Sequence, residues 1–252
     1  MTINRQALHA EHATKAEALF SLRCLRECLT AATSEASHAQ FLERLLELQC
    51  SIYTLDVYGE RNWAIASKDL AEIWRGIRLS WSAVPTLEGK RPPLTDIEEY
   101  QQIEVDMREG RRPDMIPIDI FYRHKTCDVR LMRQLIWSAY ESPNSFVRRL
   151  WEIFDLVGEI LDDVSDVDED RLTYNGNRFA FCLRQYGAGE TASQYELFVD
   201  RLSQEFHQIV LKHSELVHTV CFLEGKLTSL RADVKARLES CDHRICSSDQ
   251  QK

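Results

Sequence analysis

A chain of 252 residues, 44% of them hydrophobic, sits near the upper size for one hydrophobic core and has enough apolar side chain to fill it. Its net charge of −9 argues against nucleic acid as a partner, because binding phosphate backbones requires a basic surface. No stretch approaches the roughly 20 apolar residues of a membrane span, and the N-terminus lacks the apolar core of a signal peptide. A cytoplasmic location is therefore expected. Eight cysteines, at 24, 28, 50, 127, 182, 221, 241 and 246, lie scattered and mostly among apolar neighbours, which reads as reduced, buried thiols. Cys24 and Cys28 are one helical turn apart, but no second pair at zinc spacing follows nearby.

Only 9 Gly and 6 Pro interrupt the chain, and apolar residues recur at helical spacing through most of it. Ala18, Leu19, Leu22, Leu25 and Leu29 form a first stripe. Phe41, Leu42, Leu45, Leu46, Leu48, Ile52 and Leu55 form a second, entered through Ser34 or Ser37 as a cap. A third runs from Trp63 to Trp81 and leads into a proline-rich loop at 82–94. Thr95-Asp-Ile-Glu98 has the form of a capping box opening a fourth helix. After a break around Gly110–Pro113 and Pro117, helical patterns cover about 126–141 and 144–170. They resume at Arg178, pause at Gly187-Ala-Gly189, and continue over about 191–213 and 214–239. No alternating pattern indicates a strand and no internal repeat is present. These elements predict an all-α fold, a single-domain bundle of about eight to ten helices over 1–240 with a flexible tail at 241–252.

The distinctive segment begins where the apolar run 146–161 ends. Six acids fall within the nine residues 162–170. On a helix Asp162, Asp166 and Asp170 stand at i, i+4 and i+8, so like charges share one face. Acids at a helix C-terminus also oppose the macrodipole, so this arrangement does not serve stability alone. Divalent cations turn such repulsion into binding, and Mg²⁺ favours carboxylate oxygens together with substrate phosphates. A calcium loop starting at Asp166 fails at its two most constrained positions, with Arg171 where Gly belongs and Asn177 where Glu belongs.

Asp162-Asp163-Val-Ser-Asp166 is a DDxxD sequence, and the wider frame from Asp162 and Asp163 through Asp166 to Asp170 follows the spacing (N/D)D-x-x-(S/T)-x-x-x-E, with Asp at the last two of its specified positions. In these motifs the chain resembles the class I isoprenoid (terpene) synthase superfamily, as a divergent member, over about 100–252. The resemblance implies an all-α isoprenoid-synthase-like domain that uses Mg²⁺ to ionise an allylic prenyl diphosphate. It implies Asp162, Asp166 and Asp170 as catalytic acids and metal ligands, with Asp163 supporting them. It further implies a second acidic wall, for which Asp56 and Glu60 are the candidates. They stand at i, i+4 after an apolar run, but Val57 occupies the middle acid position. Lys125-Thr126 lies where prenyl synthases carry a diphosphate-contacting Lys-Thr pair. Arg112, with Arg108 and Arg111 near it, stands where cyclases place a diphosphate-sensing arginine.

A departing diphosphate needs cations and hydrogen-bond donors that strengthen as the bond breaks. Arg171 and Arg178 flank the acids and are candidates for that role together with Lys125 and Asn175. The Arg-Tyr pair that closes the site in cyclases is missing after residue 200. Tyr53, Trp74, Phe121, Trp137, Phe154 and Phe179 are candidates for an aromatic cavity lining, though helical bundles bury aromatics in any case. The leading expectation is a Mg²⁺-dependent terpene synthase, a lyase of isoprenoid biosynthesis acting on a prenyl diphosphate. The alternatives are a prenyl diphosphate synthase or prenyltransferase, and a non-catalytic helical regulatory or interaction protein that keeps the fold. A homodimer is compatible with each.

Overall fold

The structure is a computed structural model that describes residues 5–32, 38–140, 142–170, 176–213 and 217–248. It is all-helical, 84% helix, with no strand among the described residues. In chain order the helices are α1 (Arg5–Leu22), α2 (Leu25–Ala32), α3 (His38–Arg61), α4 (Ser67–Ala83), α5 (Thr95–Arg108), α6 (Ile118–Lys125) and α7 (Cys127–Ala139). Then come α8 (Ser145–Ser165), the single turn α9 (Val167–Asp170), α10 (Arg178–Tyr186), α11 (Ala188–Lys212) and α12 (Val217–Ser248). A 3-10 turn covers Pro113–Met115. Two compact units result: residues 1–99 with 127–142, and residues 100–126 with 143–252.

In the first unit, α3 buries Phe41, Leu45, Leu48, Ile52 and Leu55 as its spacing predicts. The expected first stripe does not survive as one face. Ala18 is exposed and Leu22 is 65% exposed, whereas His12, Ala16 and Phe20 are buried. The cause is a corner: Cys24 adopts φ 52° between α1 and α2, so residues before and after it follow different helical phases. Arg133 of α7, 1% exposed, donates through Nη2 to the Arg23 carbonyl at that corner, at 2.5 Å. α4 starts at Ser67, leaving Trp63 exposed before it, and buries Trp74 and Ile77. The cap expected at Ser34 or Ser37 lies outside the described residues. At α5, Leu94 rather than Thr95 holds the cap position, because its carbonyl accepts from the Glu98 amide.

In the second unit α8 is central. From Leu150 to Ile160 every residue is buried except Glu152 and Glu159, so this helix is enclosed on nearly all sides. Ile153, Phe154, Val157 and Ile160 are each at most 1% exposed, and each contributes about 1.5–3 kcal/mol by burial. Asn144 caps the start of α8, its side chain accepting from the Val147 amide at 2.9 Å. α6 occupies part of the expected break, with Pro117 at its cap position, where a missing N–H costs nothing. Gly187, at φ 81°, ends α10 and lets α11 start directly, which shortens the expected pause to one residue. α12 runs on to Ser248, through much of the expected tail.

Candidate functional site

The acids are delivered by the end of α8. That helix closes at Ser165, Asp166 takes φ −93°, ψ 8°, and α9 follows. The backbone bonds nevertheless continue in helical register across the bend: the Asp166 amide donates to the Asp162 carbonyl (2.9 Å), and the Asp170 amide to the Asp166 carbonyl (2.8 Å). Asp162 and Asp170 are half-buried and Asp166 is exposed. Asp163, 100° around the helix from Asp162, is 1% exposed and points into the unit.

Inside, Asp163 is the centre of a polar network drawn from four helices. Lys125, the last residue of α6, donates Nζ to Asp163 Oδ1 and lies 3.5 Å from Glu159 Oε1, one turn earlier on α8. The Tyr122 hydroxyl donates to Asp163 Oδ2 at 2.8 Å. Tyr122 has a single hydroxyl proton, and the carboxylate is its stronger acceptor. The 3.0 Å contact between the Tyr122 and Tyr195 hydroxyls therefore uses the Tyr195 proton, and Arg178 Nη1 faces the Tyr195 oxygen at 3.4 Å. The direction of donation runs Arg178, Tyr195, Tyr122, Asp163.

Enclosure sets the electrostatics of this network. Burial raises the Asp163 carboxyl pKa, with the Lys125 ammonium and its hydrogen bond and the Tyr122 hydroxyl opposing it. Burial by itself lowers the Lys125 pKa, but Asp163 and Glu159 outweigh that and the net shift is upward. We take Lys125 as charged and Asp163 as its counter-ion, because both carboxylate oxygens receive donors. Burial raises Tyr122 and Tyr195, and the nearby Asp163 charge raises them further. Phe179 stands edge-on to Tyr195 at 4.9 Å between ring centres, and Phe121 edge-on to Tyr122 at 5.4 Å, so the tyrosine pair sits in an aromatic setting.

Asn177 joins the network to the acids. Its Oδ1 accepts from the Ala180 amide and caps α10, while Nδ2 donates to the Asp163 carbonyl (2.8 Å) and to Asp170 Oδ2 (2.7 Å). Arg178 follows at 5% exposure, and its Nε has no hydrogen-bond partner among the described residues. Arg112 is engaged elsewhere in this unit. Its Nη2 donates to Asp114 (2.6 Å) and to the Tyr186 hydroxyl (3.1 Å), and its guanidinium lies over the Phe181 ring. Arg171 and Asn175 lie outside the described residues. Asp56 and Glu60 belong to α3 of the first unit, half-buried and exposed respectively.

Of the expected residues, the structure thus brings Lys125, Asp163, Asp170 and Arg178 into one network. Tyr122, Tyr195, Glu159 and Asn177 complete it without having been singled out in the sequence. Asn177 carried a readable signal, an Asn immediately before an apolar helical run. The tyrosines carried none, since aromatic residues on a helix read as core. As a donor set, carboxylate oxygens suit Mg²⁺. Among the described residues, however, no three His, Cys, Asp or Glu side chains gather closely enough to hold a metal ion. No helix of the described residues is long and apolar enough to cross a membrane.

The chain matches no family model, no curated protein and no solved structure.

Proposed function

We propose that the chain is a class I terpene synthase-like enzyme that ionises an allylic prenyl diphosphate with Mg²⁺ and releases diphosphate. The observation that carries this reading is the helical register kept through the bend at Asp166, which holds Asp162, Asp166 and Asp170 at successive turns beyond a buried helix. These three acids would hold the metal. When bound there, the metal would supply a Lewis acid to stabilise charge on the leaving diphosphate.

Arg178 adds to the reading. A guanidinium at 5% exposure with no carboxylate bonded to it among the described residues is a costly group to bury unless an anion repays it. Incubation with a panel of C10 to C20 allylic diphosphates should release diphosphate only when Mg²⁺ is present. No release from any of them, together with no rise in melting temperature on adding Mg²⁺ and pyrophosphate, refutes the proposal.

A second reading, a non-catalytic helical protein retaining the fold, draws on the Lys125–Asp163 pair. One acid of the DDxxD sequence is already neutralised from within. Stabilisation by Mg²⁺ and pyrophosphate without turnover of any substrate would select this reading, because a ligand that binds the folded state raises its melting temperature whether or not chemistry follows.

A further inference from the structure

The two adjacent aspartates of the DDxxD sequence occupy different surroundings. Asp162 is half-buried beside the bend, whereas the Asp163 side chain is fully enclosed. Its partner Lys125 is 18% exposed, and Glu159, the second carboxylate on the same ammonium, 13%. Lys125 takes one oxygen of Asp163 and Tyr122 the other. A metal ion at Asp163 would have to displace a half-buried ammonium and a buried hydroxyl together, leaving Lys125 facing the cation that replaced it.

We propose that Lys125 is the resident counter-cation of Asp163, and that the pair is an internal brace of the second unit rather than part of its ligand-binding surface. Lys125 then supplies at Asp163 the positive charge that a metal supplies at Asp162, Asp166 and Asp170. The assignment of those three acids to metal rests on the function proposed above; the brace itself does not. Tyr122 donates to the second oxygen of Asp163, and the Tyr195 hydroxyl beside it links this brace to Arg178. Removing Lys125 strands Asp163 as a buried, uncompensated carboxylate, whereas removing Asp163 leaves Lys125 with Glu159 as its remaining counter-ion, and removing both strands neither.

The test is a double-mutant cycle on the full chain, with melting temperature read without ligand and again with Mg²⁺ and pyrophosphate. Lys125→Met should lower the ligand-free melting temperature by about 10 °C, and Asp163→Asn by less, because Glu159 still faces the ammonium. The double variant should lie well above the value that adding the two losses gives. If either single variant fails to fold, a folded double variant carries the same result, and Tyr122→Phe supplies a milder perturbation of the same carboxylate. Folded Asp163→Asn and Tyr122→Phe should keep the Mg²⁺–pyrophosphate shift, and Asp162→Asn should lose it. Strict additivity of the two single losses overturns the brace. So does a folded Asp163→Asn that loses the shift while Asp162→Asn retains it. Absence of any shift in the unmodified protein removes the metal reading, and the cycle then judges the brace by itself.

Discussion

Lys125 and Asp163 stand 38 positions apart in the chain and form an ion pair inside the second unit, joining the last residue of α6 to the last turn of α8. The pair is placed by two ordinary features of helix geometry. Lys125 follows the buried face of α6 carried by Phe121 and Tyr122, and Asp163 shares a face with Glu159 and Ile160, four and three residues before it.

The acids beside the bend are expected to separate from Asp163 in turnover. Asp162→Asn and Asp166→Asn should each reduce Mg²⁺-dependent diphosphate release by about 10²-fold, the scale seen when one preorganised electrostatic group is removed. Steady-state rates at saturating Mg²⁺ measure this, with circular dichroism confirming unchanged helix content.

Removing the Tyr122 hydroxyl leaves one oxygen of a buried carboxylate without its donor. Tyr122→Phe should cost about 1.5–3 kcal/mol, the range for hydrogen bonds to charged groups. Urea unfolding is the measurement, and the midpoint should fall with little change in slope.

Asn177 both caps α10 and bonds Asp170, so two substitutions separate its functions. Asn177→Ala should lose about 1–2 kcal/mol from the cap, with a further loss from the freed Asp163 carbonyl and Asp170 carboxylate. Asn177→Asp keeps a capping oxygen but sets a second carboxylate against Asp170. It should retain α10 yet be less stable at pH 7 than near pH 4, where protonation relieves the repulsion. Thermal unfolding at the two pH values checks the difference.

Acid stability should depend on Asp114. Hydrogen bonds from Arg112 hold its carboxyl at about 2, with burial opposing and the Tyr186 hydroxyl assisting. An unfolded aspartate titrates near about 4. The folded pKa is depressed, so its stabilisation is complete above that value and is lost as pH falls toward 2. Arg149 lowers Glu205 in the same direction. Melting temperatures recorded between pH 5 and pH 2 should fall less steeply for Asp114→Asn than for the unmodified chain.

Arg91 closes the end of α4 in the first unit. Its guanidinium donates to the carbonyls of Trp81, Ser82 and Val84 and lies over the Trp81 ring at 5.0 Å. The Ser82 carbonyl is one that a helix C-terminus leaves unpaired, and the Trp81 carbonyl takes the Val84 amide as well. Arg91→Lys should recover only part of the roughly 1–2 kcal/mol lost in Arg91→Ala, because an ammonium cannot span three acceptors or stack. Chemical denaturation of the three proteins gives the comparison.

Local pattern is legible wherever one helix keeps one phase. Of the stripe Phe41 to Leu55, five residues are buried as expected and Leu42 and Leu46 are half-buried at its edge, and the apolar lead-in to Asp162 is the most enclosed helix of its unit. The stripe Ala18 to Leu29 fails because it spans the corner at Cys24, where a positive φ in a non-glycine residue carries no sequence signal. The helix at Ile118–Lys125 was hidden behind Pro117, which marks a boundary without saying on which side the helix lies.

The sequence by itself determined an all-helical chain, the helical spacing of Asp162, Asp166 and Asp170, and the apolar helix that carries them. Each depends on residues within a few turns of one another, and hydrophobic periodicity and backbone hydrogen bonding act over that range. Only the tertiary structure decided that adjacent aspartates part company, with Asp163 drawn inward to Lys125, Tyr122 and the relay to Arg178. The physical reason is that the charge state and surroundings of a buried carboxylate are set by groups within a few ångströms in space. Those groups come from α6, α10 and α11, and no spacing along the chain announces their meeting.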